Sequence, residues 1–159
     1  MKRAGFTMIE LIFVIVILGI LAAVAIPKLA ATRTDAGVSK MSSNIATVVS
    51  DAGAYWTANG AWPTNWSDVT NVSLQTAAGG TTQSTVITAS AFLNAGTTNA
   101  NQGCFQLDTT TDGNLTVTAL AAGTDPVCVG AKAAALKNNI SAADGTAKVH
   151  SFGGTSVTY

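Results

Sequence analysis

Residues Phe6 to Ile26 form an apolar run broken by a single charge, Glu10, and one other polar side chain, Thr7. Lys2 and Arg3 precede it, and Pro27 closes it. Twenty-one residues at the rise of an α-helix match the thickness of a bilayer's hydrocarbon core, which needs about 20. Such a run cannot face water as an isolated helix. It restricts the chain to folds in which hydrocarbon or other apolar helices cover it. The overall hydrophobic fraction of 48% and charged fraction of 10% are skewed by this one segment. The remainder is rich in Ala, Thr, Gly, Asn and Ser.

The basic flank predicts that the N-terminus stays cytoplasmic and that the rest lies beyond the inner membrane. A secretory signal peptide is the first rival reading. Ala22-Ala23-Val24-Ala25 offers a weak A-x-A-like cleavage site for it. Glu10 speaks against a plain signal. An acid in hydrocarbon costs about 2.5–3.5 kcal/mol, and groups placed there are functional by default. Two readings of Glu10 stay open: a hydrated position at the interface, or a cationic partner supplied by another chain.

Gly5-Phe6-Thr7-Met8-Ile9-Glu10-Leu11 resembles the cleavage and methylation motif of type IV pilins and of the related pseudopilins of type II secretion. The resemblance runs through Pro27 and, more loosely, along the helix beyond. It implies that a membrane peptidase cuts between Gly5 and Phe6, and that the new Phe6 amine is N-methylated. It further implies that Glu10 pairs with the Phe6 amine of a neighbouring subunit during assembly. Pairing would remove the penalty of a lone buried acid. Gly5, without a Cβ, admits close backbone approach by a protease. The short leader and Phe6 resemble the type IVa and pseudopilin classes more than the longer-leader type IVb class.

Pro27 lacks an N–H, so a helix continuing through it should kink or loosen there. Gly19 is a second weak point. Beyond Pro27, Val38, Met41, Ile45, Val48, Val49, Ala52, Tyr55 and Trp56 share one helical stripe. Asn59-Gly60 is a C-terminal signal. The expected fold is α+β: a pilin-like lollipop with a long N-terminal helix packed on a small antiparallel sheet. The expected division is a leader at 1–5, a membrane or filament-core half-helix at 6–27, an amphipathic half at 28–60, and a β-rich head at 61–159.

In the head, Trp62 and Trp66 read as locally packed core, and Ser67-Asp68-Val69 as a short helical turn. Residues 77–85 read as loop, while 86–93 fit a strand or a short helix equally. Gly103 to Leu107 and Leu115 to Leu120 alternate as strands around an Asp112-Gly113 hairpin turn. Asp125-Pro126 reads as a turn before Val127-Cys128-Val129, with a short helix at 130–137. Residues 147–152 and 155–159 read as closing strands.

Export predicts that Cys104 and Cys128 pair, closing a loop for which chain entropy suggests about 3 kcal/mol. The resemblance agrees, since type IV pilins commonly carry a C-terminal disulfide-bounded region. The lone His150 in a predicted strand reads as structural. It and two distant cysteines do not make a zinc set, so no metal or other cofactor is expected. Asp112 and Asp144 are turn acids and at most a weak calcium pair. The major pseudopilin carries a calcium loop where this chain has two cysteines. Gly79-Gly80 and Gly153-Gly154 lack the context of a phosphate loop, and no nucleophile–base–acid set emerges. The formal charge is zero, and no specific nucleic-acid site is evident. Of the Asn-x-Ser/Thr triplets at Asn65, Asn71, Asn114 and Asn139, only Asn114 has an acid two residues earlier, a bacterial-type glycosylation signal.

The sequence thus reads as a non-enzymatic subunit of a type IV pilus, serving adhesion, twitching motility or DNA uptake. Its implied partners are copies of itself, the inner membrane, the prepilin peptidase and methyltransferase, and the assembly machinery. It would sit in the inner membrane, head in the periplasm, and end in an extracellular pilus. A pseudopilin in a periplasmic pseudopilus is the alternative. A membrane-anchored periplasmic binding protein or enzyme is the second.

Overall fold

The computed structural model describes residues 5–153. The chain divides into two compact units, Met1–Asp35 and Ala36–Tyr159. One helix, α1, covers Met8–Asn59 and runs uninterrupted through Pro27. The missing N–H of Pro27 leaves the Ala23 carbonyl without its usual helical donor. The helix stops where the sequence says it should. Gly60 adopts φ +67°, and its N–H reaches the Trp56 carbonyl at 2.8 Å.

Within the second unit, the stripe read from the sequence becomes the core. Met41, Ile45, Val48 and Ala52 are buried against the sheet, while Val38, Val49, Tyr55 and Trp56 are half-buried at its margins. The four antiparallel strands lie in chain order: β1 (Ala91–Asn94), β2 (Gly103–Thr109), β3 (Asn114–Ala119) and β4 (Ala147–Ser151). Leu93 pairs with Phe105, Leu107 with Val117, and Thr109 with Leu115. Strand alternation therefore puts Ala91, Leu93, Phe105, Leu107, Leu115, Val117 and Ala119 on one face, all of them buried. Gln106, Asp108, Thr116 and Thr118 fall on the other.

The segment 86–93 resolves as an isolated bridge from Val86 to Asn65, then a turn, then the start of the strand Ala91–Asn94. The turn expected at Asp125-Pro126 is instead the start of a helix, α2 (Pro126–Lys137). Asp125 Oδ1 accepts from the Val127 N–H at 2.9 Å, and Pro126 occupies the first turn, where its missing N–H costs nothing. α2 fits against α1 through reciprocal notches. A Cβ on Gly37 would lie 2.8 Å from Val127, and one on Gly130 would lie 2.5 Å from Val38. The closing strand expected at 155–159 lies outside the described residues.

Three links hold the distal third of the head. Cys104 at the start of β2 is bonded to Cys128 in α2, with Cα atoms 4.8 Å apart. The Lys132 ammonium, buried, donates to the Leu120 carbonyl at 2.9 Å and to Asp144 Oδ2 at 3.1 Å. His150 faces the Ile140 carbonyl through Nε2 at 2.7 Å. A carbonyl only accepts, so this nitrogen carries the proton.

At the β2–β3 hairpin, Gly113 has φ +79°, and a Cβ there would stand 2.2 Å from the Trp56 ring. Gly60 also has a positive φ, but open space around its Cβ position. Gly60→Ala should therefore cost only the left-handed strain, about 1–2 kcal/mol. Gly113→Ala adds overpacking of about 1–3 kcal/mol and should be clearly the worse. Urea unfolding of both variants, followed by tryptophan fluorescence, checks the order.

Candidate functional site

The chemistry of the first unit lies at the start of α1. Gly5, Phe6 and Thr7 precede the helix and are exposed, and nothing comes within 4 Å of a Cβ built on Gly5. The Gly5–Phe6 peptide bond thus sits on non-helical, open chain. Phe6 is 89% exposed. A protease must extend its substrate, and a bond already outside the helix demands no local unfolding.

The helix begins with a reciprocal cap that the sequence reading passed over. Thr7 is the N-cap residue: its carbonyl accepts the Leu11 N–H at 3.2 Å. Its Oγ1 accepts the Glu10 N–H at 3.3 Å, while Glu10 Oε2 accepts the Thr7 N–H at 2.7 Å. The Thr7 hydroxyl also donates to the same Oε2 at 2.7 Å. This is a capping box, and its signature Thr-x-x-Glu before an apolar run was present at positions 7–10. Glu10 is thereby held on its own helix N-terminus. A carboxylate can accept from several donors, so this arrangement leaves capacity for one more.

Beyond the cap, every large apolar side chain from Leu11 to Leu29 is exposed. The helix is long and apolar enough to cross a membrane by length and composition, and its most apolar window has a mean hydropathy of 3.1. Exposed apolar surface of this extent marks a contact with lipid or with other protein.

Against this background the comparison with known families is decisive for one segment. Residues 1–26 match the family model described as the prokaryotic N-terminal methylation motif. The chain carries a prepilin N-terminus. That motif, shared by type IV pilins and pseudopilins, implies processing by a prepilin peptidase and assembly into filaments. With the apolar helix, it fits membrane anchoring before assembly. The prepilin motif points to a structural subunit rather than an enzyme. No curated protein and no solved structure matched the chain.

The remaining sequence candidates scatter. Pro27 lies inside α1. Cys104 and Cys128 meet in the head, as a covalent link rather than a reactive site. Asn114 opens β3, half-buried, two residues after Asp112. His150 and Asp144 each serve a local contact. Among the described residues no three of His, Cys, Asp and Glu gather where they could hold a metal ion.

Thr7→Ala removes one half of the capping box and should cost about 1 kcal/mol of local helix stability, whereas Thr7→Ser should preserve it. Amide hydrogen exchange of Met8 to Leu11 in detergent micelles reads this directly. The Ala variant should exchange several-fold faster and the Ser variant at the original rate.

Proposed function

We propose that this chain is a structural subunit of a type IV pilus. The observation that carries the reading is the pairing of an open Gly5–Phe6 bond with an uncovered apolar segment whose single acid, Glu10, sits in the first turn of α1. Cleavage after Gly5 creates a Phe6 amine, which is then methylated. The mature helix, residues 6–27, waits in the inner membrane with the head in the periplasm. Assembly transfers it from lipid to a bundle of identical helices. There Glu10 meets the Phe6 ammonium of a neighbouring subunit, a charge pair that offsets the burial of each partner. Pro27 supplies a place where the helix can bend between the bundle and the head. Identical subunits joined head to tail without closure give an open filament. The filament then serves attachment, motility or DNA uptake at the cell surface. Asn114, preceded by Asp112 and standing at a hairpin end, is a position for a glycan.

A role for Glu10 in assembly separates it from the processing step. In cells producing Glu10→Ala, the chain should still lose Met1 to Gly5 and gain its methyl group. The amount of sheared surface filament should fall at least tenfold, about 1.4 kcal/mol or more per subunit addition. The variant should accumulate in the membrane fraction. Filaments at the original level from the Ala variant would contradict the reading.

A further inference from the structure

A cavity of about 420 Å³ opens in the second unit between α1, residues 71–75, the end of β1 and the start of α2. Its volume lies within the range of small-molecule sites, about 300–1,000 Å³. Lys40 and Asn44 line it from α1, Asn71, Ser73 and Gln75 from the loop, and Asn94 from β1. The register of β1 on β2 shifts between Leu93 and Asn94. Bulges of this kind re-aim a side chain and cluster beside functional sites.

Elsewhere in the head, several polar side chains are used by the fold. Thr70 binds Asp51, Lys132 binds Asp144, Lys148 binds Asn139, and Gln102 binds Thr98. In the cavity this holds only in part: Gln75 Nε2 donates to Ser73 Oγ and Asn94 Nδ2 to the Ala77 carbonyl, while three other lining side chains are unused. Among the described residues, the side chains of Lys40, Asn44 and Asn71 have no hydrogen-bond or ionic partner. Gln75 Oε1 and Asn94 Oδ1 are enclosed in the wall without a donor. Buried polar atoms are nearly always paired, so two such orphans in one wall require an explanation. The nitrogens of the same two amides are in use, Gln75 Nε2 on Ser73 Oγ at 3.3 Å and Asn94 Nδ2 on the Ala77 carbonyl at 3.0 Å, which fixes both oxygens in the wall.

The lining contains one ammonium, four side-chain amides, no carboxylate and no aromatic ring. Amides present a donor and an acceptor side by side, matching neighbouring hydroxyl groups. An unpaired ammonium selects a negative group. We propose that this cavity binds an acidic sugar unit of a polysaccharide, with Lys40 on the carboxylate and Asn44 and Asn71 on ring hydroxyls. The site belongs to the head and does not require polymerisation. On a filament it would supply a ligand class for adhesion.

The test uses the full-length chain in detergent micelles, titrated calorimetrically with trigalacturonate, a glucuronate-containing hyaluronan tetrasaccharide and sialyllactose. The methyl esters of all three serve as neutral controls. At least one acid should bind saturably, and its ester about tenfold more weakly or worse. Lys40→Met should abolish the preference for acid over ester. Asn71→Ala should weaken acid and ester alike by about tenfold. Both residues are exposed, so the variants should melt like the parent, which circular dichroism verifies. Failure of all three acids to bind, an ester binding as tightly as its acid, or affinities unchanged in both variants would each overturn the proposal. Loss of filaments in Glu10→Ala cells leaves this result unaffected, so the two readings fail separately.

Discussion

The uncovered apolar segment from Phe6 to Leu29 sets the terms for the rest of this protein. Burying a Leu, Ile, Val or Phe side chain is worth about 1.5–3 kcal/mol, and the segment exposes many of them. No water-facing state of the single chain satisfies that surface. Lipid tails satisfy it, and so do identical helices. Because both covers are apolar, transfer between them has no large hydrophobic driving force of its own. Direction must then come from polar groups, and the segment offers Glu10 with its Thr7 cap. Residues 1–26, which match the prepilin motif, include this cap.

The cap also bears on how an acid is tolerated before assembly. Glu10 closes hydrogen bonds with the Thr7 N–H and hydroxyl, so it does not stand as a bare charge at the start of the helix. The N-terminal end of a helix carries partial positive charge, which favours the carboxylate there. An ammonium is repelled by that end of the helix and attracted only by the Glu10 carboxylate. Under the proposed assembly, the acid is held in waiting by its own helix and completed by a neighbour.

Long-period patterns were legible in the sequence, and local exceptions were not. The stripe Met41–Ile45–Val48–Ala52 repeats over several turns, and its burial follows from helical periodicity. The β2–β3 hairpin announces itself through alternation and Asp112-Gly113. Asp125-Pro126 misled because the same dipeptide suits a turn and a helix start. Only the covered stripe beyond it, packed through Gly130 and Val38, selects the helix. At 86–93 the apolar run was too short to separate strand from helix, and pairing with β2 decided it. The capping box was legible in the spacing of Thr7 and Glu10, but an acid in an apolar run is equally consistent with a charge role, and only the structure shows its hydrogen bonds. The amide-lined cavity could not have been read, since its residues come from segments as distant as Lys40 and Asn94.

The central claim is that the chain matures at Phe6 and is built for assembly from that end. Intact mass spectrometry of the mature protein from its own cells tests it most directly. The account predicts a chain beginning at Phe6, carrying one added methyl group and lacking two hydrogens for the Cys104–Cys128 bond. Replacement of Gly5 should leave the leader in place. A mature chain that still begins at Met1, or one that begins after Ala25, would contradict it and leave a plain anchor or a signal peptide in its place.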